Sequence, residues 1–89
     1  MKSKTYKFYN DHGCAWLEVP LVEVVKAGIA GNISGYSYVS YESKNAYLEE
    51  DADASIFINA VGKENVPYTE VYEENIFIRQ LPSFPGKVS

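Results

Sequence analysis

The stretch Tyr47-Leu-Glu-Glu-Asp-Ala-Asp-Ala-Ser-Ile-Phe-Ile-Asn-Ala-Val-Gly62 joins the end of a strand to an acidic turn and a short helix. Its first part places four carboxylates within five residues: Glu49, Glu50, Asp51 and Asp53. Asp51 or Asp53 can cap the helix that follows, because the first N–H groups of a helix lack partners and its positive end favours a nearby anion. The turn therefore predicts a strongly negative edge at the start of a helix.

The second part of the same stretch has the spacing of an amphipathic helix. Apolar residues recur at i, i+3, i+4 and i+7, which predicts one buried stripe made of Ala54, Phe57, Ile58 and Val61. Gly62 stands where a residue with positive φ commonly ends a helix. We expect the core of the domain to lie against this stripe.

Alternating side chains elsewhere predict strands. The predicted strands are Thr5–Asn10, Cys14–Val19, Tyr36–Tyr41, Ala46–Glu50 and Tyr68–Tyr72, with hairpin turns at Asp11-His12-Gly13 and Ser43-Lys44-Asn45. Residues 75–81 are ambiguous between a last strand and one helical turn, and we favour the strand.

A second short helix is predicted to begin at Pro20 and to end at Gly28. Its buried stripe would be formed by Leu21, Val24, Val25 and Ile29. Together these elements predict an α+β fold, in which an antiparallel sheet of four to five strands carries two short helices packed on one face.

The length of 89 residues predicts a single domain over residues 1–89. We expect residues 1–4 and 82–89 to fray, the latter because Pro82, Pro85 and Gly86 oppose regular structure. No run of about 18 apolar residues is present, so no membrane partner is expected. Cys14 is the single cysteine, which excludes an internal disulfide and favours the reducing cytoplasm of a host cell.

The net charge of −4 hides an uneven distribution of charge along the chain. Lys2, Lys4 and Lys7 lie in the first seven residues, and the rest of the chain carries five basic residues against twelve acidic ones. A protein that binds nucleic acid directly needs cations facing phosphate, and no basic stripe is present here. The acidic surface favours a basic partner instead, including a protein surface that normally holds nucleic acid.

Asp11-His12-Gly13-Cys14 is where an acid, a base and a thiol come together in sequence. A Cys–His nucleophile would need the imidazole within hydrogen-bond reach of the sulfur. The simpler interpretation is a hairpin turn followed by a half-buried cysteine. One cysteine and one histidine do not complete a zinc site, so no metal and no cofactor are expected.

Eight tyrosines are unusual for a chain of this length. Four of them, Tyr36, Tyr38, Tyr41 and Tyr47, fall on or near the second predicted hairpin. They can be cross-strand pairs that stabilise the sheet, or they can form a rigid contact surface, because tyrosine is enriched at the centres of interfaces. Beside the carboxylates they predict a surface that binds something basic.

Four ordered blocks resemble a group of small proteins of phages and mobile elements. The blocks are Phe8–Leu21, Ile33–Tyr38, Ala46–Ala54 and Phe77–Arg79. The group has H-D-x-G-H-G-W-L-x-V-P in the first block, then I-S-x-Y-S-Y, Y-L-E-E-D-x-D-A and a late F-I-R. This chain departs from the first block at residues 10–12 and at Cys14-Ala15, so a histidine pair is not carried over. The resemblance implies a phage context, in which small acidic proteins often occupy a host or defence protein.

The expected function is therefore that of a non-enzymatic inhibitor, of the anti-CRISPR kind, that covers a basic surface of a host or defence complex. The partner-binding residues would be the four carboxylates and four tyrosines named above, with Glu73 and Glu74 as a second acidic patch. Two alternatives remain: a small enzyme or metal-site domain at Asp11, His12 and Cys14, and a homodimeric structural module of a phage assembly.

Overall fold

The computed structural model describes residues 5–74 and 76–85. Five strands form one sheet: β1 (Tyr6–Asn10), β2 (Ala15–Pro20), β3 (Tyr38–Ser40), β4 (Asn45–Glu49) and β5 (Tyr68–Tyr72). The order across the sheet is β3-β4-β2-β1-β5. The predicted α+β class and the five strands are confirmed.

The sheet is mixed, which corrects the expectation that it is fully antiparallel. Neighbouring strands are antiparallel except for β1 and β5, which run parallel. The reason is the connection that precedes β5. The chain leaves β4, returns through a helix and enters β5 in the direction of β4, as a strand–helix–strand crossover requires.

Two α-helices are present, α1 (Leu21–Lys26) and α2 (Ser55–Val61). A wider π-helical turn, Glu50–Ala54, leads into α2. Short 3-10 helices among the described residues are Ala30–Asn32, between α1 and β3, and Lys63–Asn65 and Phe77–Gln80, which come after α2. A glycine with positive φ follows each helix: Gly28, with φ of 75°, comes directly after the Ala27 cap of α1, and Gly62, with φ of 95°, is the cap of α2.

The main core lies between the two helices and one face of the sheet. From the sheet, Leu17 and Leu48 are fully buried, and Val24 of α1 and Phe57 of α2 pack against them. The predicted stripe of α1 is wrong at Val25, whose side chain is 64% exposed. With only six residues, α1 presents a narrow face to the sheet.

A second core lies on the opposite face of the sheet. Trp16 and Tyr47 are covered there by Ile76 and Ile78, all four of which are buried. The segment that covers them is a 3-10 helix, Phe77–Gln80, so the predicted strand over residues 75–81 is wrong; Asn75 lies outside the described residues. Ile76 and Ile78 bury apolar surface against the sheet face, which a strand at the sheet edge would leave uncovered.

The last described residues close the β3 edge of the sheet. Val39 N donates to Pro82 O at 3.0 Å, and Phe84 N donates to Ser37 O at 2.7 Å. Phe84 is itself buried in the main core. The expectation that this tail frays is therefore wrong for residues 82–84, while residues 1–4 and 86–89 lie outside the described part of the chain.

Candidate functional site

Strand directions bring three acidic segments to the same end of the sheet. Glu49 at the end of β4 pairs with Trp16 near the start of β2, and Asn10 at the end of β1 pairs with both Ala15 and Tyr72. The residues after β1, β4 and β5 therefore lie side by side. We call this surface the acidic rim and define it as Asp11, Glu49, Glu50, Asp51, Glu73 and Glu74.

Lysines lie at the opposite end of the molecule. Leu21 N donates to the backbone oxygen of Lys44 at 2.9 Å, which places the β3–β4 turn beside the start of α1. Lys63 follows α2, whose Phe57 packs edge-on against Tyr6 at the far end of β1. The predicted contact residue Tyr41 also belongs to this end, about 15 Å from the rim along β4. The structure therefore separates Tyr41 from the other predicted contact residues.

The acids that begin the helical segment have two different roles. Glu49 caps the segment, because its carboxylate accepts a hydrogen bond from Ala52 N at 2.9 Å. The cap that was predicted at Asp51 or Asp53 is thus supplied by Glu49, which precedes both residues. Glu50 and Asp51 are exposed to solvent, so their carboxylates are available to a partner.

Asp53 differs from its neighbours because it points into the protein. Its side chain is 1% exposed and accepts hydrogen bonds from Ser34 N at 3.1 Å, from Ser34 Oγ at 2.7 Å and from Ser37 Oγ. Ser37 Oγ in turn accepts from Glu49 N at 2.9 Å. Asp53 therefore ties the 34–37 loop to the helix start and is removed from the predicted contact surface.

The predicted contact tyrosines also differ in their exposure to solvent. Tyr36 is 74% exposed, and Tyr38 is half-buried with its ring edge-on to Trp16 at 6.1 Å between centroids. Tyr47 is 2% exposed and donates a hydrogen bond to Glu18 at 2.9 Å. Burial, and after it Glu18, raises the pKa of Tyr47. Tyr47 thus belongs to the core, which corrects its assignment as a contact residue.

A groove of about 420 Å³ runs along the rim beside Tyr36. Its lining includes Cys14, Trp16, Tyr36, Tyr38, Asp51 and Arg79. Its lining combines aromatic rings with two carboxylates, since Glu49 also lines it. We call this concavity the rim groove. It is the place where the predicted charge and the predicted aromatic surface meet.

Arg79 is the residue of the site that sequence reasoning missed. Its guanidinium lies 5.1 Å from the ring centroid of Trp16, and its Nε donates to Asp11 Oδ2 at 2.9 Å. Asp11 raises the pKa of Arg79, and the same hydrogen bond holds the pKa of Asp11 below its usual range. Residues 11 and 79 are far apart in sequence, so no local pattern predicts this pair.

The turn after β1 is a hydrogen-bonded Asx turn. Asp11 Oδ1 accepts from Gly13 N at 2.9 Å and from Cys14 N at 2.8 Å. No hydrogen bond joins the exposed imidazole of His12 to the thiol of Cys14, both of which are described. Within residues 5–74 and 76–85, no three His, Cys, Asp or Glu side chains lie close enough to share a metal ion.

Glu73 and Glu74 complete the rim beyond β5. Glu73 N donates to Asn10 O at 3.0 Å, which extends the pairing with β1 by one residue, and the side chains of Glu73 and Glu74 are exposed. Glu74 lines a separate hollow with His12 and Arg79. The second acidic patch therefore lies beside the turn Asp11–Cys14, which also belongs to the rim.

Comparisons with protein-family models, with curated protein sequences and with solved structures found no match to this chain. No helix among the described residues has both the length and the apolar run that crossing a bilayer requires.

Proposed function

We propose that this chain is a non-enzymatic binding protein whose acidic rim covers a basic surface on a host or defence protein that handles nucleic acid. The observation that carries the proposal is the convergence of acidic residues from three chain segments at one end of the sheet. Lys44 and Lys63 lie at the other end. Glu42 and Glu64 accompany these lysines, so net negative charge is concentrated at the rim. Such an uneven charge distribution orients a protein toward a positive surface before contact and speeds association.

The rim groove supports a specific contact in addition to general attraction. A lysine or arginine side chain of the partner can lie against the exposed ring of Tyr36 and bring its charge to Asp51. Arg79 already has the equivalent environment, with Trp16 beneath its guanidinium and Asp11 as its partner. The groove therefore suits a guanidinium group or an ammonium group.

A protein surface fits the rim better than nucleic acid does. Phosphate would be repelled by the exposed carboxylates of Glu50, Asp51 and Glu74. A protein surface that normally holds nucleic acid is positively charged. This chain would compete with nucleic acid for that surface. From the resemblance to proteins of phages and mobile elements we infer that this competition would occur in an infected cell, and inhibition of a defence complex of the CRISPR kind is part of the proposal.

Charge reversal on the rim tests the proposal. The chain and its Glu50→Lys, Asp51→Lys double variant are used as baits in a host lysate, and captured proteins are quantified by mass spectrometry. Both residues are exposed, so the variant is expected to keep its fold, checked by circular dichroism. Affinity for the purified target is expected to fall about tenfold or more, and wild-type affinity is expected to fall as salt rises.

A matched control carries the same change of net charge elsewhere. The Glu42→Lys, Glu64→Lys variant alters two exposed acids at the lysine end and is expected to keep wild-type binding. Nuclease treatment of the lysate is expected to increase capture, because it frees the basic surface. Equal loss of binding in both variants, or loss of capture after nuclease, would contradict the proposal.

A further inference from the structure

The two edge strands of the sheet, β3 and β5, differ in whether another described segment covers them. The β3 edge is covered by residues 82–84, through the hydrogen bonds of Val39 and Phe84. The β5 edge has β1 as its one neighbour in the sheet, and no described segment lies along its other side. An uncovered edge strand presents free N–H and C=O groups to which another strand can add.

The hydrogen bonds to β1 identify which groups of β5 are free. Tyr6 N donates to Pro67 O at 2.9 Å, and Glu73 N donates to Asn10 O at 3.0 Å. Backbone groups alternate in direction along a strand, so residues 67, 69, 71 and 73 face β1. The backbone groups of Tyr68, Glu70 and Tyr72 therefore face outward.

The same three residues place their side chains on one face of the sheet. Tyr68 is 47% exposed and lies edge-on to Phe8 at 5.0 Å between centroids, and Tyr72 is 55% exposed. Glu70 lies between the two tyrosines and is also exposed. An added strand would thus meet one carboxylate with an aromatic ring on each side of it.

We propose that the β5 edge binds an extended, basic segment of a partner protein by strand addition. A lysine or arginine opposite Glu70 would pair with its carboxylate, and the flanking rings of Tyr68 and Tyr72 would cover the aliphatic part of that side chain. Backbone hydrogen bonds would supply affinity without regard to sequence, and Glu70 would select the basic segment.

A second copy of this chain fits the edge less well. The antiparallel register that pairs all five residues of two β5 strands sets Glu70 opposite Glu70, and directly opposed like charges destabilise a strand pair. Glu73 and Glu74 add further repulsion because they follow the strand immediately. The edge therefore favours a partner of opposite charge over self-association.

The test uses three labelled nine-residue peptides and fluorescence anisotropy. One alternates threonine and lysine, one alternates threonine and glutamate, and one has the lysines in a single block. The alternating lysine peptide is expected to bind about tenfold or more tighter than either of the others. Glu70→Lys is expected to reverse the preference, whereas the exposed Glu42→Gln change at the lysine end is expected to leave it unchanged.

Amide hydrogen exchange supplies a readout specific to strand addition. Peptide binding is expected to protect the amides of Tyr68, Glu70 and Tyr72, while those of Thr69 and Val71 are already protected by β1. Glu70→Pro removes the carboxylate and one outward N–H but no bond to β1, so it is expected to weaken binding more than Glu70→Ala does while the sheet persists. The Glu50→Lys, Asp51→Lys rim variant is expected to bind the peptide within about threefold of wild type, which separates this proposal from the preceding one.

Three results would overturn the proposal. They are equal binding of the three peptides, protection that does not alternate along β5, and a dimer in light scattering whose β5 amides are protected without peptide. The third result would assign the edge to a second copy of the chain.

Discussion

At the scale of single residues, Asp53 and Asp51 show how neighbouring identical side chains acquire different roles. Asp51 is exposed, whereas Asp53 is buried and accepts three hydrogen bonds from Ser34 and Ser37. A buried carboxylate is tolerated because these donors replace the water it loses. The residue serves the fold by joining a loop to the start of a helical segment.

Replacement of Asp53 is expected to reduce stability. Asp53→Ala leaves the donors of Ser34 and Ser37 without their carboxylate acceptor, and Ser37 is fully buried, so the cost is about 3 kcal/mol. Asp51→Ala is the matched control and is expected to change stability by less than about 0.5 kcal/mol. Urea unfolding of the two variants measures the difference, and equal midpoints would refute this role for Asp53.

Tyr47 is expected to make the stability of the fold decrease at alkaline pH. Burial and the nearby Glu18 raise its pKa above the ordinary value of 10.0, so the folded state holds the phenolic proton that the unfolded chain releases. Stability is therefore complete below pH 10 and falls as pH rises above it. Tyr47→Phe is expected to lose about 1 kcal/mol at pH 8 and to show a shallower decline between pH 10 and 11.

Thermal unfolding of wild type and Tyr47→Phe across this pH range measures the two slopes. Burial also raises the pKa of Tyr6 and Tyr9, so a smaller decline is expected to persist in the variant. Parallel curves for the two proteins would show that Tyr47 does not contribute to the decline.

At the scale of elements, the end of α2 depends on the backbone conformation of one glycine. Gly62 ends α2 with φ of 95°, a conformation that side chains with a Cβ rarely adopt. A Cβ there would also come within 2.9 Å of Glu64 Oε2, although that exposed carboxylate can move aside. The backbone conformation is therefore the main reason for a glycine at this position.

Alanine substitutions at two glycines test this explanation. Gly62→Ala is expected to cost about 1 kcal/mol, because it forces positive φ on a residue with a side chain. Gly31→Ala is the control, since no atom lies within 4 Å of its built Cβ and its φ is not positive. Denaturant unfolding of both variants is the measurement, and an unchanged midpoint for Gly62→Ala would contradict the explanation.

At the scale of the whole molecule, net negative charge is concentrated at one end of the sheet. The acidic rim unites segments that follow β1, β4 and β5, and Lys44 and Lys63 lie at the far end. Cys14, the single cysteine of the chain, lines the rim groove. It is therefore a native reporter of whatever covers the rim.

Partner binding is expected to slow maleimide labelling of Cys14 about fivefold or more, because a bound protein excludes the reagent. The control carries Cys14→Ala and Ser43→Cys, which moves the thiol to the exposed β3–β4 turn. Its labelling is expected to be unaffected by the partner. Mass spectrometry of timed samples measures both rates, and slowing at residue 43 with none at residue 14 would place the partner at the lysine end.

Much of the fold was predictable because its causes are local. Alternation in β1, β2 and β5 and the spacing of apolar residues in α2 follow from the periods of strands and helices. The 3-10 helix Phe77–Gln80 was not predictable in this way. Its conformation depends on the surface of Trp16 and Tyr47, which exists once the sheet has formed.

Less of the candidate site was predictable. The acidic turn, Tyr36 and the pair Glu73–Glu74 lie where sequence reasoning expects exposed residues. Asp53 and Tyr47 are buried, and Tyr41 lies at the other end of the sheet. Arg79 enters the site through a pairing with Asp11 that spans most of the chain.

The amino-acid sequence alone determined the α+β class, most strand and helix positions, the glycine helix ends and the acidity of the turn after β4, because each depends on residues close together in the chain. Tertiary structure decided which acids face outward, that β5 runs parallel to β1, and that, among the described residues, a segment covers the β3 edge of the sheet and none covers the β5 edge. Those properties depend on contacts between distant segments. They arise from burial and hydrogen bonding that no short stretch of sequence contains.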